Sequence, residues 1–199
     1  MRYLPSVLTV LGLAGFCLAP PVLAAPLDDV PNQNVFIMGG TFINGYVQDT
    51  FAFWDDHYEE NYFGGVGYQY FFQNYPEGVR IGAEVGLGLR LGESSSAELW
   101  AGFVARYEAI RLGDISISPA ISFGLSGTTG TIGIETERAA ELGRGIPILY
   151  YMGPEISVSH AAHPNLEVLA RVQHRSGGFG TIAPIDGSNA AVLGLRYKF

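Results

Sequence analysis

Beyond its first 25 positions, the chain alternates between apolar residues and small or charged ones. From Ile81 to Leu91 every odd position is apolar, while the even positions are Gly82, Glu84, Gly86, Gly88 and Arg90. A period of two held over such a run predicts a β-strand with one apolar and one polar face. Leu99, Ala101, Phe103, Ala105 and Tyr107 repeat the pattern against Glu98, Trp100, Gly102, Val104 and Arg106. So do Leu166, Val168, Ala170 and Val172 against Glu167, Leu169, Arg171 and Gln173. The last segment sets Ala191, Leu193, Leu195, Tyr197 and Phe199 against Val192, Gly194, Arg196 and Lys198.

Eight such segments are present, near 34–45, 61–72, 79–91, 97–107, 114–126, 148–160, 164–174 and 190–199. Most are about ten residues long, the length of a tilted transmembrane strand. Strands of a soluble sandwich or lipocalin-like barrel are nearer 5–6 residues. Small and charged residues share one face, as a narrow lumen requires, and the chain ends on an aromatic strand like that of bacterial outer-membrane barrels. The predicted fold is therefore all-β, an eight-stranded antiparallel transmembrane β-barrel of the outer-membrane type, with Leu193, Leu195 and Tyr197 outward and Arg196 inward. Side chains fill a barrel of this size. Glu84, Glu98, Glu167, Arg90, Arg106, Arg171, Arg196 and Lys198 then face the lumen and must pair there, because unpaired buried charge is very costly. Function is sought on the outer wall and in the outer loops.

The leader reads as a targeting signal. Arg2 supplies a positive start, Val7 to Leu18 is an apolar run too short to span a membrane, and Val22-Leu23-Ala24 places small residues for cleavage after Ala24. Residues 25–199 then form a single barrel domain. The one cysteine, Cys17, falls within the signal, so thiol catalysis, disulfides and cysteine-bound metals are excluded from the mature chain. The formal charge is −8, and removing residues 1–24, which hold Arg2 and no acid, takes it to −9. With 27 Gly and 15% charged residues, the composition excludes a coiled coil, a helical bundle and a basic nucleic-acid binder.

With both termini periplasmic, the short connections 73–78, 108–113 and 161–163 are periplasmic turns, and most of the outer loops are longer, the exception being 92–96. The first outer loop, Tyr46 to Glu60, carries Asp49, Asp55, Asp56, Glu59 and Glu60 amid Phe51, Phe53, Trp54 and Tyr58. The simpler reading is a solvated acidic loop beside an aromatic girdle; the alternative is a divalent-cation site bridging to lipid phosphates. His160 and His163 flank a periplasmic turn without a third ligand nearby, so they read as surface residues and no metal site is assigned. The glycine-rich stretches lie within strands, so none is a phosphate loop.

The seventh segment departs from its pattern at its outer end. Continuing the even spacing past Val172 brings His174 and then Ser176 onto the lipid-facing side. A base two residues from a hydroxyl on one strand face is the arrangement of an activated nucleophile. On spacing alone it is also what chance places at a polar barrel rim.

The stretch Val172-Gln173-His174-Arg175-Ser176-Gly177-Gly178-Phe179-Gly180, followed by Asp186-Gly187-Ser188-Asn189 and the terminal strand, resembles the lipid A 3-O-deacylase family of outer-membrane barrels, which includes acyloxyacyl hydrolase-like members. The strand containing Glu84 and the start Ala97-Glu98-Leu99-Trp100 are also similar to that group. The resemblance implies an eight-stranded barrel with a His-Ser-Glu site on its outer face that cleaves an ester-linked acyl chain of lipid A. It implies His174 as general base and Ser176 as nucleophile. The family has Asn after the serine, where Gly177 stands here, leaving the backbone N–H groups of Gly177 and Gly178 as oxyanion donors. Asn189 stands where the family has its acid. It shares the outward parity of the last strand, so it is placed to orient His174 without supplying charge. Asp186 is the alternative orienting residue, or else a turn residue before Gly187.

Two functional classes follow: a lipid A deacylase-like serine esterase needing no organic cofactor, or a non-catalytic barrel serving structure, adhesion or envelope integrity. The expected partner is lipopolysaccharide in the outer leaflet, with room for a homodimer and none for nucleic acid.

Overall fold

A computed structural model describes residues 30–51 and 58–199; the expected signal peptide, 1–24, lies outside the described residues. Eight long strands are β1 Gln33–Ile43, β2 Tyr58–Asn74, β3 Val79–Leu91, β4 Ser95–Tyr107, β6 Ile115–Thr128, β7 Ile148–His160, β8 His163–Ser176 and β9 Asp186–Lys198. A three-residue strand, β5 Ile110–Leu112, pairs with Ile115–Ile117 at the short-turn end. All pairings are antiparallel between sequence neighbours, β4 pairs with β6, and β1 closes the ring on β9. Closure leaves no strand edge among the eight, which is what allows a sheet to sit in lipid.

The alternation read from the sequence becomes the two faces of the wall. Val85, Leu87, Leu89 and Leu91 are exposed on β3 while Arg80, Glu84 and Arg90 are buried in the lumen. On β9, Leu193, Leu195 and Tyr197 face outward and Arg196 is buried, the expected parity. β8 and β9 extend beyond the expected 164–174 and 190–199, to Ser176 and from Asp186, and this extension carries the candidate site.

The lumen is a network of paired charges. Glu84 accepts from Arg171 at 2.7 and 2.8 Å, from Trp100 Nε1 at 2.9 Å and from the Tyr151 hydroxyl at 3.0 Å. Arg196 reaches Glu155 at 2.7 Å and Glu167 at 3.1 Å, and Glu167 also takes Arg106 at 2.6 Å and Lys198 at 2.8 Å. Arg90 pairs with Glu98 at 3.6 Å and with Glu135. All eight lumen charges expected from the sequence are buried. Glu155, which bridges Arg171 and Arg196, is an additional hub, located where Gly153 and Pro154 interrupt the sequence pattern. Trp100 crosses the lumen over Gly86, where a Cβ would stand 2.1 Å from its Cζ2, so only glycine fits beneath the indole.

One outer element lies outside the expectation of loops alone. Helix α1, Ile134–Glu141, sits in the connection from β6 to β7. Its first turn is capped by Glu59, whose Oε1 accepts from Ile134 N at 2.9 Å. Its Glu135 is buried, paired with the inward-facing Arg90 and, at 3.5 Å, with Arg175. Ala139 packs with Leu149, Ala183 and Ile185. These contacts seat α1 on the outer mouth of the barrel. Two acids of the first outer loop are engaged locally: Asp49 accepts from Tyr46 N at 2.7 Å and Glu59 caps α1. Asp55 and Asp56 lie outside the described residues.

Candidate active site on the outer wall

β8 carries Val168, Ala170, Val172, His174 and Ser176 on successive outward positions, and antiparallel register sets His174 directly opposite Asn189 of β9. His174 Nε2 lies 3.0 Å from Ser176 Oγ, and His174 Nδ1 lies 2.6 Å from Asn189 Oδ1. Asn189 Nδ2 donates to the carbonyl of Gly45 at 3.1 Å. With its NH2 committed there, Asn189 turns its oxygen toward the ring. Nδ1 of His174 then carries the proton, and Nε2 is the acceptor for the serine hydroxyl. That is the tautomer a general base requires.

The sequence expectation of a site open to lipid is modified in one respect. Although His174 and Asn189 occupy outward positions, they are only 7% and 0% exposed. The first outer loop folds down over them, through Gly45 and a short 3-10 turn, Val47–Phe51, that packs against β9. Burial removes competing water from the hydrogen-bonded chain and strengthens it.

Asp186, the first residue of β9, lies at the outer rim, five residues beyond Ala191 and outside the apolar spanning part of the strand. One carboxylate oxygen is 3.9 Å from His174 Nδ1. That same atom is buried and has no hydrogen-bond partner among the described residues. Burial raises the affinity of this carboxyl for its proton above that of an ordinary aspartate, with His174 and Arg138 opposing the rise and Asp49 adding to it. Asn189 therefore makes the direct contact and Asp186 supplies the nearby acidic group.

Arg138 of α1 ties these parts together and was not singled out in the sequence. It donates to the carbonyls of Asp186 and Gly187, both at 3.2 Å, and to Gly45 at 3.0 Å, the same carbonyl that holds Asn189. Its guanidinium also lies 3.8 Å from the Asp186 carboxylate. The signal for α1 was present as a run of strong helix formers, Glu135 to Glu141, between Gly133 and Gly143. The role of Arg138 depends on where the helix docks, which local pattern does not encode.

The expected oxyanion pair is split. Gly177 N–H donates to the carbonyl of Ile185 at 2.7 Å, so it closes the β8–β9 loop rather than facing a substrate. A Cβ at Gly177 would meet the Ala183 carbonyl at 1.8 Å, which is why glycine stands there in place of a larger residue. Gly178 N–H has no backbone acceptor among the described residues, so it is not committed in the way Gly177 is.

Below the site a cavity of about 1230 Å³ runs along the outer wall. Gly39, Thr41, Ala170 and Ala191 form its floor, and Phe51 and Leu193 are among its sides. It begins at Val172 and Ala191, each two residues from His174 and Asn189 on the same faces. Small outward residues on three neighbouring strands thus make a trough in an otherwise bulky apolar wall.

No family model matches the chain, and neither does any curated protein. Among solved structures it is similar to the outer membrane enzyme PagL, with 15% identity and a TM-score of 0.56 over 83% of this chain and 99% of that one. It is also similar to Neisserial surface protein A, with 13% identity and a TM-score of 0.51 over 84% of this chain and 97% of that one. These likenesses are of fold. The chain is a closed eight-stranded antiparallel β-barrel with the fold of bacterial outer-membrane barrels.

Proposed function

We propose that this barrel is an outer-membrane serine esterase that hydrolyses an ester-linked acyl chain of lipid A in the outer leaflet. The observation that carries the reading is the chain Ser176 Oγ, His174 Nε2, His174 Nδ1, Asn189 Oδ1, with links of 3.0 and 2.6 Å, set at the head of an apolar trough. Ser176 is the nucleophile, His174 the general base and Asn189 the orienting amide. In this reading the acyl chain lies in the trough with its ester carbonyl at Ser176.

The hydroxyl attacks the carbonyl carbon as its proton passes to Nε2, and the tetrahedral oxyanion forms beside Gly178 N–H. Collapse breaks the bond to the sugar oxygen, which leaves with the proton from Nε2. Water, deprotonated by the same nitrogen, then cleaves the acyl-enzyme and releases the fatty acid. General base assistance is worth about 10²–10⁴-fold. Asp186 stabilises the transient imidazolium through space, a task Asn189 cannot perform because it carries no charge.

A fluorophosphonate probe tests the assignment in detergent-solubilised protein. It is expected to label the peptide containing Ser176 in the unmodified barrel and to fail in His174→Ala. Labelling elsewhere, or equal labelling in both, contradicts it.

A further inference from the structure

We infer that Phe179 is a membrane-interface finger, whose phenyl ring enters the acyl region of the outer leaflet next to the candidate site. Immediately beyond Ser176 the chain makes a tight turn closed by Thr181 N donating to the Gly178 carbonyl at 3.1 Å. Its two central residues, Phe179 and Gly180, have φ of 54° and 91°, the φ signature of a type I′ turn. The first central position of such a turn is normally Asn, Asp or Gly, because an L-residue with a bulky side chain is sterically disfavoured at positive φ. Phe179 is the one non-glycine residue with positive φ among the described residues.

Among the described residues nothing compensates for that choice. The Phe179 side chain is fully exposed, so its ring contributes no burial to the fold. The turn is already held by other bonds, Ile182 N to the Gly177 carbonyl at 3.0 Å and Thr181 Oγ1 to the Gly178 carbonyl at 2.8 Å. A strained residue presenting an apolar ring to the outside points to an external apolar partner.

The location of the turn identifies that partner. Gly178 rests against Tyr150, where a Cβ would lie 2.5 Å from the ring. Tyr150 is an outward residue of β7 and stacks on the outward Phe123 of β6, with centroids 5.7 Å apart. The turn is therefore continuous with aromatic residues on the lipid-facing wall, where outer-membrane barrels contact the headgroup boundary. An exposed phenyl beside that band meets the upper acyl chains of the outer-leaflet lipid. The inference is independent of the esterase reading, because insertion is measured without hydrolysis.

The test places Phe179→Trp, in the full barrel, into phosphatidylcholine vesicles carrying bromine at defined acyl positions. The parent protein contains two tryptophans, so its emission is subtracted. The added emission is expected to be lost in vesicles brominated near the headgroup end and to resist aqueous acrylamide. Quenching by acrylamide without quenching by bromine overturns the proposal, as does protection that disappears when the protein is diluted into excess lipid, which would identify a second copy of the chain as the partner. Phe179→Asn is the second variant: relieved of strain, it is expected to unfold at the same or a higher temperature in detergent. A lowered midpoint would show that the ring serves the fold and would also overturn the proposal.

Discussion

His174 and Asn189 face each other across the β8–β9 ladder, with Nδ1 and Oδ1 2.6 Å apart and the amide nitrogen of Asn189 held by the Gly45 carbonyl. The pairing fixes both the ring orientation and the tautomer of His174, so it defines what Asn189 contributes. Asn189→Ala is expected to lower kcat by about 10²-fold with little change in KM, the order of loss that follows from misplacing a catalytic group. Asn189→Asp adds charge but sets a carboxylate oxygen against the Gly45 carbonyl, so it is expected to recover only part of the loss. Steady-state kinetics on a lipid ester resolve the two; an Asn189→Ala variant with unaltered kcat contradicts the role.

Protonation of Asp186 is expected to weaken the proposed esterase. Its carboxyl is raised, chiefly by burial, so it takes up a proton at a higher pH than an ordinary aspartate. Protonation removes the negative charge 3.9 Å from His174 Nδ1, and activity that depends on this charge is lost as pH falls through the raised pKa. Arg138→Gln removes an opposing positive charge, pushes Asp186 further up and moves the acidic limb of the kcat profile to higher pH. Asp186→Asn lowers kcat and removes the contribution of that limb. Profiles of all three proteins that superimpose would refute the link.

The lumen network gives a stability prediction. Arg171→Ala strips Glu84 of both guanidinium contacts and leaves two buried carboxylates, Glu84 and Glu155, short of positive charge. Breaking one partner of a buried pair costs about 3–5 kcal/mol. The variant is expected to lose the heat-modifiable compact form on gels at a clearly lower temperature. The double variant Arg171→Met, Glu84→Gln should regain much of the difference, and a single variant as stable as the parent would show that the network carries little of the fold.

Period-two alternation made the barrel legible, because each strand has one face in lipid and one in a packed polar lumen, as Ile81 to Leu91 shows residue by residue. The same parity put His174, Ser176 and Asn189 on the outward face, and antiparallel register brought His174 and Asn189 together. Three parts of the site were not legible. The covering loop at Gly45, the guanidinium of Arg138 and the closure of Gly177 onto Ile185 all come from loops folding back on the wall. Such contacts join residues up to 144 positions apart, and no local period records them. Glu155 was missed for a related reason, since Gly153 and Pro154 blur the alternation around it.

The central claim is that Ser176, activated by His174, deacylates lipid A. The direct measurement is mass spectrometry of lipid A from outer membranes containing the unmodified barrel, Ser176→Ala or His174→Ala, each verified as assembled. The account predicts loss of one ester-linked acyl chain with the unmodified protein and intact lipid A with either variant. The double variant should be no worse than the singles, because the pair acts as a unit. Intact lipid A with the assembled unmodified barrel, across several acylation patterns, or equal deacylation by the unmodified protein and Ser176→Ala, would contradict it.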